Sequence, residues 1–166
     1  MKNSLFRLSF LLIALMSFSF FTVGNKVKTY YSINEALKEP KGVKKLDLMF
    51  KGYKQFPSEI IQFKNLEDLV LRGNKIEEIP IEIKKLKKLK ELSLGNNPIK
   101  DFDLLIETLK TVKKLESLDL EATGIKKVPN SIKELKKLKT LYLWGNPIDS
   151  NEISRVQSLI PSVEVK

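Results

Sequence analysis

Residues 66–88 read LEDLVLRGNKIEEIPIEIKKLKK, and this stretch decides the fold because its pattern returns along the chain. Four other segments align with it: VKKLDLMFKGYKQFPSEIIQFKN from Val43, LKELSLGNNPIKDF from Leu89, LESLDLEATGIKKVPNSIKELKK from Leu115 and LKTLYLWGNPI from Leu138. Successive starting positions are 23, 23, 26 and 23 residues apart. A repeat of this length predicts stacked units, none of which buries its apolar face alone.

Each unit opens with L-x-x-L-x-L, which predicts a short strand. Side chains alternate along a strand, so Leu69 and Leu71 point to one face while Val70 and Arg72 point to the other. Successive copies placed ~4.8 Å apart in a parallel sheet would join these leucines into a continuous core. Apolar residues later in the second unit close the coil: Ile76, Ile79, Ile83 and Leu86.

The units resemble leucine-rich repeats of the form L-x-x-L-x-L-x-x-N-x-I-x-x-I-P-x-x-I-x-x-L, over Val43 to about Ile148. The resemblance implies an α/β fold, a curved right-handed solenoid of about five repeats. The parallel sheet would form its concave face, and short helices or extended turns its convex face. The resemblance also implies that the concave sheet binds other macromolecules, and it favours a bacterial source.

In proteins of this family, an asparagine at the ninth position bonds to the backbone of neighbouring coils. Asn74, Asn97 and Asn146 occupy that position here. Lys51 and Thr123 depart from the pattern in the first and fourth units. We expect the bonding to be weaker at Thr123, because its hydroxyl reaches less far than a carboxamide.

The sequence divides into an amino-terminal targeting segment, a repeat region and two flanking caps. The capping-box spacings of Ser32 with Glu35 and of Asp149 with Glu152 predict a helix in each cap, and a short strand is expected at Val163–Val165. The predicted ranges are 1–24 (signal peptide), 25–42 (first cap), repeats 43–65, 66–88, 89–114, 115–137 and 138–148, and 149–166 (second cap).

The third unit is three residues longer than the others and lacks their proline. Leu105, Leu109 and Val112 recur at helical intervals within Asp103–Lys114. The pattern predicts an α-helix on the outer face of this unit.

The amino terminus has the features of a secretory signal. Lys2 and Arg7 precede the apolar run Leu8–Val23, and Thr22 and Gly24 supply small residues for cleavage. As a helix, these 16 residues span only ~24 Å, less than the ~30 Å core of a bilayer. We therefore expect export to the periplasm, cell surface or medium. The alternative is an uncleaved segment that anchors the chain in the membrane.

Composition excludes most familiar catalytic chemistry. The 166 residues include no Cys and no His, so the chain has no thiol nucleophile, His-based triad, disulfide or usual zinc site. No cofactor or metal is expected. The net charge is +10, with 30 Lys and Arg against 20 Asp and Glu.

The third, fifth and seventh positions of each unit should be exposed on the sheet. They carry two positive and five negative side chains, so the predicted sheet face is mildly acidic on a basic molecule. This distribution argues against nucleic acid as the partner, because a nucleic-acid groove gathers Lys and Arg. The candidate partner-binding residues are Tyr142, Trp144, Glu121, Asp119, Glu91, Arg72, Val70 and Met49.

The strongest of these candidates is the pair Tyr142 and Trp144, which share one face of a predicted strand. Tyr and Trp are frequent anchors at interfaces. Met49 and Phe50 form a smaller apolar patch at the other end. The opposing interpretation is that Trp144 and Phe50 pack beneath the two caps.

These observations favour a monomeric, non-catalytic module that binds a protein or peptide and meets the membrane only through its signal segment. Two alternatives stay open. The lysine-rich outer face either aids solubility or belongs to an envelope-associated structural protein that binds anionic polymers through it. Asp119 and Glu121, about 6 to 7 Å apart on one strand face, instead suggest a carboxylate-dependent hydrolase.

Overall fold

The computed structural model describes residues 27–166, in which seven parallel strands form one open sheet in chain order. The predicted signal peptide, residues 1–24, lies outside the described residues. The strands are β1 (Thr29–Tyr30), β2 (Lys45–Asp47), β3 (Asp68–Val70), β4 (Glu91–Ser93), β5 (Ser117–Asp119), β6 (Thr140–Tyr142) and β7 (Glu164–Val165).

The core is a column of leucines contributed by equivalent strand positions. Leu46, Leu69 and Leu92 are register partners in β2, β3 and β4, and Leu118 and Leu141 continue the column in β5 and β6. Each is at most 2% exposed. A three-residue strand has too little surface to form a core, so burial depends on the neighbouring coil. The predicted stack of parallel strands is confirmed.

The outer face of three coils is built from 3₁₀ helices, Ser58–Gln62, Ile81–Lys85 and Asn130–Glu134. Each follows a proline, and the carbonyl oxygens of Pro80 and Pro129 accept hydrogen bonds from the amides of Ile83 and Ile132 at 3.0 Å. Proline suits this place because its φ is fixed and it lacks an amide that would need a partner.

The longer third coil carries an α-helix at Phe102–Leu109, the second α-helix of the described residues, which we call α2. It is shorter than the predicted Asp103–Lys114. Its cap is Asp101, whose side chain accepts a hydrogen bond from the amide of Leu104 at 2.8 Å. The helix ends after Leu109, and the chain then turns toward β5.

Further elements flank the repeats. The short helix α1 (Ile33–Ala36) follows Ser32, and α3 (Ser150–Leu159) follows Asp149, each capped by that residue's side chain. Strand β1 is not predicted from the sequence, and β7 begins one residue after the expected position. β1 pairs with β2 and β7 pairs with β6, so both outer repeat strands have partners for their backbone groups.

Asparagine at the ninth position bridges adjacent coils. The Nδ2 atom of Asn97 donates to the carbonyl oxygens of Leu94, in its own coil, at 2.8 Å and Leu71, in the preceding coil, at 2.9 Å. Its Oδ1 atom accepts from the amide of Ile76 at 3.0 Å. Asn74 and Asn146 make equivalent bridges.

At the same position in the fourth coil, Thr123 makes a more local bond. Its hydroxyl donates to the carbonyl oxygen of Leu120, in its own coil, at 2.8 Å. The Thr side chain thus reproduces the bond that Asn97 makes to Leu94 and not the bond that Asn97 makes to the preceding coil.

The eighth position of every repeat has a left-handed backbone. The φ angles there are 54° at Phe50, 69° at Gly73, 54° at Asn96, 49° at Ala122 and 75° at Gly145. Glycine adopts this conformation without steric cost and asparagine tolerates it, but for other L-residues it costs about 1–2 kcal/mol. The first and fourth coils therefore hold Phe50 and Ala122 under local strain.

An ion pair within helix α3, Glu152 with Arg155, makes hydrogen bonds to the fourth coil. Arg155 donates to Glu152 through Nε at 2.7 Å and to Asn130 through Nη1 at 2.6 Å. The Glu152 carboxylate also accepts from the amide of Val128 at 2.8 Å. The hydrogen bonds from Arg155 lower the pKa of Glu152 to about 2 against burial, with help from the Val128 amide.

We expect Asn97→Ala to lower the free energy of unfolding by roughly 3 kcal/mol, because it leaves buried carbonyl and amide groups of two coils without partners. Urea unfolding followed by circular dichroism measures the change. Asn151→Ala, at an exposed position of α3, is the control and should change stability by less than about 0.5 kcal/mol. Equal effects of the two substitutions would contradict the bridging role.

The Glu152 carboxylate should make stability depend on pH. Its pKa is lower in the folded chain, so its contribution is complete above the ordinary value of 4.5 and is lost as the pH falls toward 2. We expect about 2 kcal/mol, allowing for solvent screening of this partly exposed pair. Urea unfolding at pH 5.5 and pH 2.5 should show a smaller loss for Glu152→Gln than for the wild type. The same loss in both proteins would refute this assignment.

Candidate functional site

The candidate site is the sheet face, defined as the exposed side chains at the third, fifth and seventh positions together with their equivalents on β1 and β7. All eight predicted partner-binding residues lie on this face or at the loop that ends its strands. The strand register brings Asp119 beside Tyr142 and Val70 beside Ser93. The residues do not converge on a single point, because they are spread over five coils.

A three-residue ion cluster occupies the middle of the face. The Nη1 atom of Arg72 lies 2.9 Å from Oδ2 of Asp119, and its Nη2 atom lies 2.8 Å from Oε2 of Glu121. Ser93 also donates its hydroxyl proton to Asp119, at 2.5 Å. Burial opposes the charge of Arg72, but the two carboxylates outweigh it and raise the pKa of the guanidinium. Both carboxylates are thus engaged by one cation.

This ion cluster depends on a glycine, Gly95, in the coil between its members. Arg72 follows β3 and Asp119 lies on β5, so the guanidinium must cross the coil that contains β4. A Cβ atom at Gly95 would lie 2.5 Å from Nη1 of Arg72 and 2.9 Å from Oδ2 of Asp119. The absence of a side chain at Gly95 leaves the space that the ion pair fills.

The remaining charges of the face are distributed unevenly. Lys45 pairs with Asp68 at 3.1 Å, and the Asp47 side chain accepts from the amide of Met49. Glu91 is exposed, and no cation of residues 27–166 pairs with it. The face therefore keeps a net negative charge after its internal pairs are counted.

One end of the face carries an exposed apolar cluster of Tyr31, Met49 and Phe50, which are 59%, 36% and 70% exposed. The Phe50 ring lies over Gly73, where a Cβ atom would overlap it. Tyr31 was not predicted as a site residue, because its place beside Asp47 follows from the pairing of the unpredicted strand β1 with β2. A large aromatic residue with positive φ is unusual, and such strain concentrates at functional positions.

The opposite end carries Tyr142 and Trp144. Trp144 is 76% exposed, so the interpretation that it packs beneath the second cap is wrong, as is the equivalent interpretation for Phe50. Tyr142 is half-buried, and the ammonium group of Lys166 lies 5.4 Å from its ring centroid. The two aromatic ends are thus open to solvent.

The part of the chain that the structure describes has neither an evident metal site nor a membrane-spanning helix. In residues 27–166, no three acidic side chains come together in a way that would hold a metal ion. Within the same range, every helix is too short or too polar to cross a bilayer.

The stacked coils and the open sheet face define a solenoid repeat protein, and comparison with known proteins identifies the repeat. Residues 64–107 match the family model for leucine-rich repeats (2 copies). The chain contains leucine-rich repeats, and its described part folds as a leucine-rich-repeat solenoid. No curated protein sequence matches the chain significantly.

Several solved structures are similar to this chain. A leucine-rich-repeat protein of Leptospira interrogans has 33% identity and a TM-score of 0.67 over 83% of this chain and 34% of its own. Internalin C2 of Listeria monocytogenes has 24% identity and a TM-score of 0.56, over 75% and 50%. The Toll–Spatzle complex of Drosophila has 20% identity and a TM-score of 0.64, over 81% and 18%. This chain therefore spans half or less of each of these proteins.

We expect Gly95→Ala to uncouple Arg72 from Asp119, because the added methyl group occupies the path of the guanidinium. A double-mutant cycle with Arg72→Met and Asp119→Asn, measured by urea unfolding, should give a coupling of about 1 kcal/mol in the wild type. The coupling should approach zero in the Gly95→Ala background. Ser117→Ala, at another position on the same face, is the control background and should preserve it. A coupling that survives Gly95→Ala would show that the ion pair does not need this gap.

Proposed function

We propose that the protein is a non-catalytic module that binds a protein or peptide segment on its sheet face. The observation that carries this proposal is the pair of exposed aromatic ends, with Phe50 at one and Trp144 at the other. An exposed tryptophan and a strained, exposed phenylalanine gain contacts only when another molecule covers them.

The spacing of the ends limits the form of the ligand. Phe50 and Trp144 belong to the first and fifth coils, which are separated by four strand steps or ~19 Å. An extended peptide covers this distance in about six residues. Between the ends, Glu91 and the net negative ion cluster favour a cationic side chain. We infer an extended segment with two apolar anchors about six residues apart and a Lys or Arg between them.

The area of the face fits a modest interface. Seven strands span ~29 Å across the sheet and about seven residues span ~23 Å along it, or roughly 650 Å². A standard complex buries ~800 Å² on each partner. β1 and β7 thus enlarge the face beyond the five repeat strands and bring it close to that size.

Other features support binding over hydrolysis. Asp119 and Glu121, the pair that suggested a hydrolase, share Arg72 as a common partner. General acid catalysis requires a carboxyl group that is free to give up a proton to the substrate. The Toll–Spatzle complex is an example of this fold with a protein ligand, although its identity to this chain supports the fold alone.

We also propose that the protein is exported, on the strength of the apolar run Leu8–Val23 and the preceding Lys2 and Arg7. An uncleaved membrane anchor is the alternative for the same run.

A random-peptide display library selected against the full chain tests the binding proposal. We expect enriched sequences with two apolar residues flanking Lys or Arg, and at least tenfold weaker binding after Trp144→Ala or Phe50→Gly. Phe50→Gly should also raise stability, because it removes backbone strain, so its loss of binding is not a folding defect.

Leu104→Ala is the matched control, because Leu104 is 51% exposed but lies on α2, away from the sheet face. Peptides that bind Trp144→Ala and Phe50→Gly as tightly as the wild type, or that lose binding with Leu104→Ala, would refute the proposed site.

A further inference from the structure

Lysines recur at one position of every coil. Two residues before the first apolar position of each repeat there is a lysine, and we call this set the lysine column: Lys41, Lys64, Lys87, Lys113 and Lys136. Lys88, Lys114 and Lys137 form a second, shorter column beside it. All eight side chains are exposed. At ~4.8 Å per coil, the lysine column runs ~19 Å along the edge from which the strands start.

The charges of these columns are largely uncompensated. Within residues 27–166, Lys136 alone of the eight has a salt-bridge partner, Glu134 at 3.4 Å. Lys88 instead donates to the Asn65 side chain. Like charges stacked at this spacing repel one another, so the columns do not contribute to the stability of the coil stack.

The second position of the repeat shows how the same chain balances a column of charges. Its residues alternate in sign: Lys44, Glu67, Lys90, Glu116 and Lys139. Lys90 lies 2.6 Å from Glu67, and Lys139 lies 2.6 Å from Glu116. This alternating column sits just after the lysine columns and carries a net charge of only +1. The lysine columns are therefore a distinct basic surface, because their positive charge is not balanced in the way that the neighbouring column's charge is.

The position of the amino-terminal end of the described residues points to the occupant of this surface. Thr29 pairs with Lys45, so by the same register Val27 lies opposite Val43, two residues after Lys41. The chain thus enters the fold at the edge of the sheet that carries the lysine columns, which we call the lysine edge. In the sequence, the apolar run Leu8–Val23 ends four residues before Val27, a span of at most ~14 Å. Whenever a bilayer holds this run, during export or as the uncleaved anchor named above, that bilayer lies next to the lysine columns.

We propose that the lysine edge docks on an anionic membrane surface. Lysine suits this partner because its ammonium group is a hydrated point charge that attracts lipid headgroups without fixed bidentate geometry. Nucleic acid is a less suitable partner, because the two columns consist of lysines alone and offer no aromatic ring on which bases would stack. In this orientation Phe50 and Trp144, beyond the far ends of the strands, face away from the bilayer. The sheet face stays accessible, so this inference does not rest on the proposed function.

Amine-reactive labelling of the full chain tests the orientation. The chain is mixed with vesicles of phosphatidylcholine alone or with 30 mol% phosphatidylglycerol (about a third anionic lipid), labelled, and analysed by mass spectrometry. We expect Lys87, Lys113 and Lys136 to be protected several-fold on the anionic vesicles and to regain reactivity in 1 M salt, where the Debye length falls to about 3 Å. Lys54, Lys75 and Lys126, on the opposite edge, should react equally on both vesicles. Equal protection of the two sets would overturn the proposal.

Vesicle co-sedimentation of two matched variants gives an independent measurement. Replacing Lys87, Lys113 and Lys136 with Gln should reduce the preference for anionic over neutral vesicles roughly 100-fold, since each lysine near such a surface contributes about a fivefold factor. The control replaces Lys54, Lys75 and Lys126 with Gln and changes the net charge equally. Equal losses in the two variants would overturn the proposal. In the labelling experiment, soluble polyglutamate provides a further test. If it protected the lysine columns from the label more strongly than anionic vesicles do, the partner would be a soluble polymer and the proposal would be overturned.

Discussion

Each coil of this protein depends on its neighbours for the burial of its leucines and for partners of its backbone groups. Asn97 shows both requirements at one place, because it lies in the apolar interior and bonds the backbones of two coils. A buried polar group without partners would cost more than the bond contributes, so the side chain must reach the preceding coil. Thr123 does not make that reach, and the junction between the third and fourth coils lacks this bridge.

Because burial fixes the inward positions as leucine, the exposed positions of the same strands are free to carry chemistry. The parallel register then aligns those positions across coils. Arg72 reaches Asp119 and Glu121 from two strands away only because Gly95 leaves the intervening space open. The same stacking turns one lysine in each repeat into a continuous basic edge. Single residues that look unremarkable in the sequence become extended surfaces when they are repeated.

The sequence predicted more of the fold than of the site. Leucine spacing was sufficient for the repeat strands because one periodicity recurs five times. It did not predict β1, since two residues at Thr29–Tyr30 show no periodic signal and pair only because β2 offers an open edge. Tyr31 was missed as a site residue for that reason. The predicted α2 extended too far because helical spacing continues past Leu109, where the chain must turn toward β5.

The sequence by itself determined the repeat, the apolar interior, the absence of thiol and imidazole chemistry, and the concentration of lysine between leucines. These are properties of composition and spacing, which a chain carries before it folds. Only the tertiary structure decided that Trp144 and Phe50 are exposed, that Arg72 engages two carboxylates, and that the lysines of five coils line one edge. Those facts depend on distances between residues far apart in the chain, and the stacking of coils alone fixes such distances.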